Sequence, residues 1–173
     1  MNPKDIVVRS FETHEWQQYR DTRLCALNDS PDAFASTYET TSLISDSEWE
    51  NRLQRISSDS DLPLAALVNA EFAGMAWVRF SNPDDHAAYL YQMWVSTNYR
   101  GCGIARKLLH TALQWASSLG ADSMRLGVTC GDTSARRLYE SVGFIPVGKR
   151  EPLRPASDLM VQNMELVFSD ERI

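Results

Sequence analysis

Two glycines and two arginines stand close together in Arg100-Gly101-Cys102-Gly103-Ile104-Ala105-Arg106, and these residue types at this spacing suit the holding of a pyrophosphate. The stretch joins an apolar run ending in Met93-Trp94-Val95 to an amphipathic segment that begins at Ile104. A loop of small residues lets backbone N–H groups crowd around a phosphate seated on the positive end of a helix. Gly101 and Gly103 take away side chains that would obstruct that approach. Ala105 keeps the first turn slim, and Arg100 and Arg106 add full positive charges. Cys102, between the glycines, sits where many side chains are tolerated, and a nearby helix N-terminus would favour its thiolate.

Other phosphate loops do not fit. A P-loop needs Gly, four residues, then Gly-Lys-Ser/Thr, and no such string occurs. A dinucleotide fingerprint needs a third Gly or Ala three residues after the second, where this chain has Arg106. The spacing Arg100-x-x-Gly103-x-Ala105 instead resembles the acyl-CoA signature of the Gcn5-related N-acetyltransferases (GNAT), Arg/Gln-x-x-Gly-x-Gly/Ala. A second block, about thirty residues downstream, resembles the later core of the same family: Val128-Thr129, then Asp132-x-x-Ala135-x-x-Leu138-Tyr139-x-x-x-Gly143-Phe144. The two blocks occur in the family's order.

The resemblance implies a division of labour. The loop would hold the pyrophosphate of acetyl-CoA, the implied cosubstrate. In similar proteins the strand ending in Met93, Trp94 and Val95 splays from its neighbour and leaves backbone groups free for the pantetheine arm and the thioester oxygen. A backbone N–H aimed at that oxygen acts as an oxyanion donor. Tyr139 falls where the family's Leu-Tyr pair places a phenol near the CoA sulfur, and a phenol with a pKa of ~10 stays protonated at neutral pH. Asp132 and Ala135 join the implied cofactor contacts. Asp132 departs from the usual Asn, which can both donate and accept, so it serves either as a CoA contact or as the cap of the helix starting at Thr133. Many relatives carry a glutamate on the strand matching Tyr89-Leu90-Tyr91-Gln92-Met93, and this chain has none. The general base is then Glu39, His86 or a water relay, unless the amine arrives neutral. His110 falls on the polar face of its helix and reads as solvated.

The elements that must position these groups follow from periodicity. Ile6-Val7-Val8-Arg9 reads as a strand and Thr13 to Asn28 as a helix, with Trp16, Tyr19, Arg23 and Leu27 on one face. Asp32 to Ile44 reads as irregular, with Phe34 and Tyr38 as anchors. Ser45-Asp46-Ser47-Glu48 is a capping-box pattern opening a helix that carries Trp49, Leu53 and Ile56 on one face. After the polar string Ser57 to Asp61, Leu64–Val68 and Phe72–Phe80 form a hairpin around Asn69-Ala70-Glu71, and a turn at Asn82-Pro83-Asp84-Asp85 leads to a strand over Ala88–Val95. Then come a helix over Ile104–Leu119, a strand over Met124–Thr129, a helix over Thr133–Val142 stopped by Gly143, and strands over Ile145–Gly148 and Leu159–Phe168. The fold expected is α/β: a mixed central sheet of about seven strands flanked by about four helices, in a single domain over residues 1–173. The resemblance implies the order ββ-αα-βββ-α-β-α-ββ or one close to it.

Composition narrows the partners. The 173 residues carry a formal net charge of −6, which argues against nucleic acid. Cys25, Cys102 and Cys130 lie far apart with no CxxC pair, so neither a disulfide framework nor a zinc or other metal site is expected. No apolar run is long enough to span a bilayer, and Met1-Asn-Pro-Lys-Asp reads as no signal peptide, so a cytoplasmic protein off the membrane is expected. The leading functional reading is an N-acetyltransferase acting on the primary amine of a small molecule. Protein or peptide N-termini are alternative acceptors, and a non-catalytic acetyl-CoA sensor is the alternative outside enzymes. A homodimer is expected, with the last strand and its Met160, Met164 and Leu166 near the interface.

Overall fold

The computed structural model describes residues 5–56, 58–80 and 84–169. Its centre is a hairpin of two strands, β2 (Asp61–Val68) and β3 (Glu71–Arg79), each with six consecutive buried residues. Such runs mark strands covered on both faces. Asn69 and Ala70 join them with φ of 50° and 68°, the positive pair that a tight hairpin turn requires. With β1 (Ile6–Ser10), β4 (Ala87–Val95), β5 (Ser123–Thr129), β6 (Ile145–Pro152) and β7 (Met160–Val167), they form one seven-stranded sheet in the order β1-β2-β3-β4-β5-β7-β6. Every neighbouring pair is antiparallel except β4 and β5.

Each face of the sheet receives its own helices. On one side lie α1 (Trp16–Asp29), the single turn α2 (Tyr38–Thr41) and α3 (Asp46–Gln54). There Tyr19, Leu27, Trp49 and Leu53 pack with Phe11, Met75, Trp77 and Trp94. On the other side lies α4 (Ile104–Ser118), which buries Ile104, Leu108, Ala112 and Leu113 against Leu64, Ala66 and Val78. Tyr139, from α5 (Thr133–Val142), and Phe144 join this second core. The caps behave as their residue types dictate: Ser45 accepts from the Glu48 N–H, and Gly143 ends α5 at φ 113°.

Several boundaries differ from the sequence reading. One strand precedes the first helices, as the periodicity reads, and not the two of the order that the resemblance implies. The expected helix from Thr13 opens as a 3₁₀ turn, Thr13–Glu15, because the buried Glu15 carboxylate turns back to grip Arg9 with two bonds of 2.7 Å. The segment expected to be irregular holds a 3₁₀ turn, Pro31–Ala33, as well as α2. β6 runs on to Pro152 instead of stopping at Gly148. The last strand is not at an edge: β7 lies between β5 and β6, Met164 is fully buried and Leu166 packs on the core. Those residues are therefore not available to an interface, and β6 is the edge strand on that side. Residues 1–4, Ser57 and the Asn82-Pro83 part of the expected turn lie outside the described residues.

Two irregularities shape the middle of the sheet. The β4–β5 ladder holds only Ala87↔Ser123, Ala88↔Met124 and Tyr89↔Arg125. Beyond that point β4 follows β3 and β5 follows β7, leaving a V-shaped gap between them. β4 also carries an extra residue: its register against β3 passes from Trp77↔Tyr91 to Met75↔Trp94. Gln92 sits in this bulge at φ 55°, a conformation that is strained for a residue with a side chain. Just beyond it, Gly74 pairs with Val95, and a Cβ there would come within 2.8 Å of the Trp94 carbonyl. Among the described residues, no helix is long and apolar enough to cross a membrane.

Candidate active site

The V-shaped gap is where the expected chemical groups converge. Two cavities meet there. One, of about 550 Å³, runs over the loop 100–106 and the first turns of α4 and α5. The other, of about 900 Å³, is walled by α1, α3, β3 to β5 and the 151–153 segment. Ala33, Met93, Asp132, Ala135 and Tyr139 line both, so these five residues mark the passage between them.

In the smaller cavity, the residues of the loop divide into braces and open donors. Gly103 is the N-cap of α4, with φ 83° and no side chain capping the turn. The first N–H groups of Ile104, Ala105 and Arg106 therefore face outward as a helix start leaves them. A Cβ on Gly101 or Gly103 would meet nothing within 4 Å. The glycines are needed for their backbone, at φ 78° and 83°, and not for clearance within the protein itself. The Ile104 side chain is buried in the core, and the Cys102 thiol points back to the Arg100 carbonyl at 3.9 Å.

Arg100 does not reach outward. Its Nε donates to the Val95 carbonyl at 2.9 Å and its Nη2 to Asp29 at 2.6 Å. Asp29, at the end of α1, also accepts from the Trp94 indole at 2.9 Å and from Ser30 at 2.8 Å. Burial works against the Asp29 carboxylate, but Trp94, Ser30 and Arg100 outweigh it and hold its pKa below the ordinary value. Arg100 is thus a brace, the Trp94 indole is committed to Asp29, and Trp94 and Val95 offer the cleft chiefly their strand backbone. Arg106 is exposed, touches Ser141 at 3.1 Å and has no carboxylate partner among the described residues. It is the loop's outward cation.

At the passage, the Tyr139 ring is buried and meets Phe144 edge-on at 5.8 Å. Burial, then the nearby Asp132 carboxylate, push its phenol well above the ordinary value. No hydrogen-bond partner among the described residues engages the hydroxyl. A proton is thus kept on an otherwise uncommitted oxygen. Asp132 caps α5, accepting from the Ala135 N–H at 3.1 Å, while still lining both cavities.

The larger cavity adds groups that the sequence did not single out. The Tyr19 hydroxyl donates to Gln92 at 3.0 Å and so ties α1 to the bulge. Thr129, across the gap on β5, donates to the Asp32 carbonyl at 2.7 Å. Arg23 is buried over the Phe34 ring at 4.4 Å. The carboxylates here are Glu48, Asp61, Asp132 and Glu151. Burial opposes the charge of Asp61, but bonds from Trp77, Arg79 and Ser60 outweigh it and hold Asp61 ionised. Neither Glu39 nor His86 lines either cavity. Glu39 is exposed on α2, and His86 stands before β4, facing Asp122 at 3.6 Å. No signal in the sequence marks the Asp29 or Tyr19 contacts, because their partners lie 65 and 73 residues away. Among the described residues, no three His, Cys, Asp or Glu side chains gather as a metal site.

The model of the acetyltransferase (GNAT) family matches residues 11–144 of this chain. N-acetylaspartate synthetase of Xenopus tropicalis is 37% identical over 83 residues, which is 48% of this chain and 30% of that protein. The chain thus spans less than a third of the length of that curated relative. In structure, it is similar to a GNAT-family acetyltransferase from Streptococcus pneumoniae, with a TM-score of 0.82, 21% identity, and coverage of 95% of this chain and 100% of that one. It is also similar to yncA of Salmonella typhimurium, described as a putative acetyltransferase with its cofactor acetyl-CoA, with a TM-score of 0.78, 16% identity and 98% coverage of both chains.

Proposed function

This chain belongs to the GNAT acetyltransferase family, and from that premise we propose that it moves the acetyl group of acetyl-CoA to the primary amine of a small molecule. The observation that carries the reading is the meeting of two cavities at Tyr139: one over a glycine loop and two helix N-termini, the other large enough for an acceptor.

The pyrophosphate is held by the N–H groups at the start of α4, with Arg106 adding charge and Arg100 keeping the loop in shape. The pantetheine arm lies in the gap beside Met93, Trp94 and Val95 and passes Asp132 and Ala135. The amine nitrogen attacks the thioester carbonyl carbon, forming a C–N bond and an oxyanion. A backbone N–H on the splayed edge of β4 steadies that oxyanion, a contribution worth ~2.7–4 kcal/mol where such donors have been removed. The C–S bond then breaks, and the Tyr139 hydroxyl gives its proton to the departing thiolate. The one proton lost by the nitrogen of the amine, which attacks neutral, is relayed through water to the tyrosinate and restores the phenol. Amide and free thiol result.

The test is thiol release from acetyl-CoA with a panel of small primary amines beside peptides bearing free N-termini. Release with small amines supports the proposal, and release with peptides alone would move the acceptor to the peptide class. CoA binding in calorimetry without release from any acceptor would leave a sensor.

A further inference from the structure

We propose that the acceptor is a free amino acid, whose carboxylate is bound by Arg23 on the α1 wall of the larger cavity. The proposal rests on reading that cavity as the acceptor pocket.

Arg23 is 5% exposed, yet its Nη1 has no hydrogen-bond partner among the described residues. No carboxylate among the described residues pairs with it; its close neighbour is the Phe34 ring, 4.4 Å below the guanidinium. Burial lowers its pKa to about 10, which still leaves a full cation at neutral pH. The second guanidinium on this wall, Arg52, stacks over Trp49 at 4.7 Å and meets Glu48 only at 3.9 Å. The two arginines repel each other, as the further lowering of Arg23 by Arg52 records. Asp61, a half-buried acid here, is occupied by Trp77 and Arg79 at 2.8 Å each. An enclosed, unpaired charged donor is costly to a folded protein, and an incoming carboxylate relieves that cost. The planar fork of a guanidinium matches a carboxylate in shape as well as charge. A polycationic acceptor would meet repulsion at the same place.

Spacing sets the size of the acceptor. Arg23 lies one helical turn beyond Tyr19, whose hydroxyl is bonded to Gln92 on the strand that edges the gap. Side chains four apart on a helix stand roughly 5–6 Å from one another. Arg23 and the gap thus lie within neighbouring turns of one helix, a spacing that suits a carboxylate and an amine on one compact molecule.

The experiment measures thiol release from acetyl-CoA with the proteinogenic L-amino acids, each beside its methyl ester and its decarboxylated amine. For the best acceptors, kcat/KM for the acid should exceed that for ester and amine by roughly tenfold or more, the weight of a charged hydrogen bond. Arg23→Gln should raise KM for the acid by a similar factor and collapse the acid-to-ester ratio, whereas Arg23→Lys should retain part of it. CoA affinity in calorimetry should hold in both. Wild-type turnover of esters or decarboxylated amines as good as that of the acids overturns the carboxylate site and leaves acetyl transfer standing. Silence of the entire panel, with CoA still bound, overturns this proposal, and thiol release from other small amines or from peptides then shows whether the transfer reading stands. The wild-type ratio decides the question even where Arg23→Gln does not fold.

Discussion

Tyr139 is held by packing: its ring fits against Phe144 and the residue lines both cavities. Tyr139→Phe keeps that packing and removes only the hydroxyl, the proposed acid. Turnover with a good acceptor should fall by roughly 10²–10⁴-fold, with CoA affinity little changed; wild-type turnover across the pH range would make the tyrosine structural. Asp29 works differently, as a knot among α1, β4 and the loop 100–106. Its pKa is depressed in the folded protein, so its contribution to stability is present above the unfolded carboxylate value of ~3.9 and is lost as pH falls through the lower folded value. Urea unfolding should show the wild type losing more stability than Asp29→Asn between neutral pH and about pH 3. The same variant should bind CoA more weakly at neutral pH, because Arg100 loses its anchor. Equal acid sensitivity of the two proteins would contradict this role.

Among the elements, β4 carries the most consequence, since it must pair with β3 throughout yet leave β5 after Tyr89. The bulge at Gln92 and the absence of a side chain at Gly74 allow both. Gly74→Ala would drive a Cβ to within 2.8 Å of the Trp94 carbonyl. A loss of about 1–3 kcal/mol in chemical denaturation is expected, together with lowered turnover from a displaced strand edge. Unchanged stability would mean that β3 and β4 can separate freely. The loop before α4 makes a comparable demand, because Gly103 sits at φ 83°. A β-branched residue is strained there, so Gly103→Val should weaken CoA binding at least tenfold, about 1.4 kcal/mol, while the distant core stays folded. Calorimetry showing wild-type affinity in a folded variant would remove the loop from the cofactor site.

At the scale of the molecule, a single sheet separates two cores, and each core supports one side of the chemistry. The core under α4 and α5 supports the loop 100–106 and Tyr139, while the aromatic core under α1 and α3 supports Tyr19, Arg23 and the bulge. The exposed Ile145 and Val167, at 62% and 67%, belong to the edge strand β6 and its neighbour β7. A homodimer remains the expected state, with contacts drawn from the β6 edge and not from the buried Met164. Light scattering at micromolar concentration should return twice the chain mass; a monomer would refute it.

The sequence by itself determined the loop, the tyrosine and most of the elements around them. These signals are local: glycine spacing, a capping residue, an apolar stripe of helical period on α4, and the Leu138-Tyr139-x-x-x-Gly143 register. α5 begins and ends where its cap and its glycine place it. Helix starts were less legible where a distant partner intervened, as Arg9 does at Glu15. Tertiary structure decided which charges are braces and which are open. Arg100 and Arg106 look alike in sequence, but Arg100 meets Asp29 across 71 residues, and nothing in either segment encodes that meeting. Arg23 shares its helical face with Tyr19 and Leu27 and reads as part of an ordinary amphipathic helix; only the packed fold shows its Nη1 enclosed without a partner. Periodicity assigns a residue to a face, whereas the dielectric and the neighbours that it meets there are set by chain segments far away in sequence.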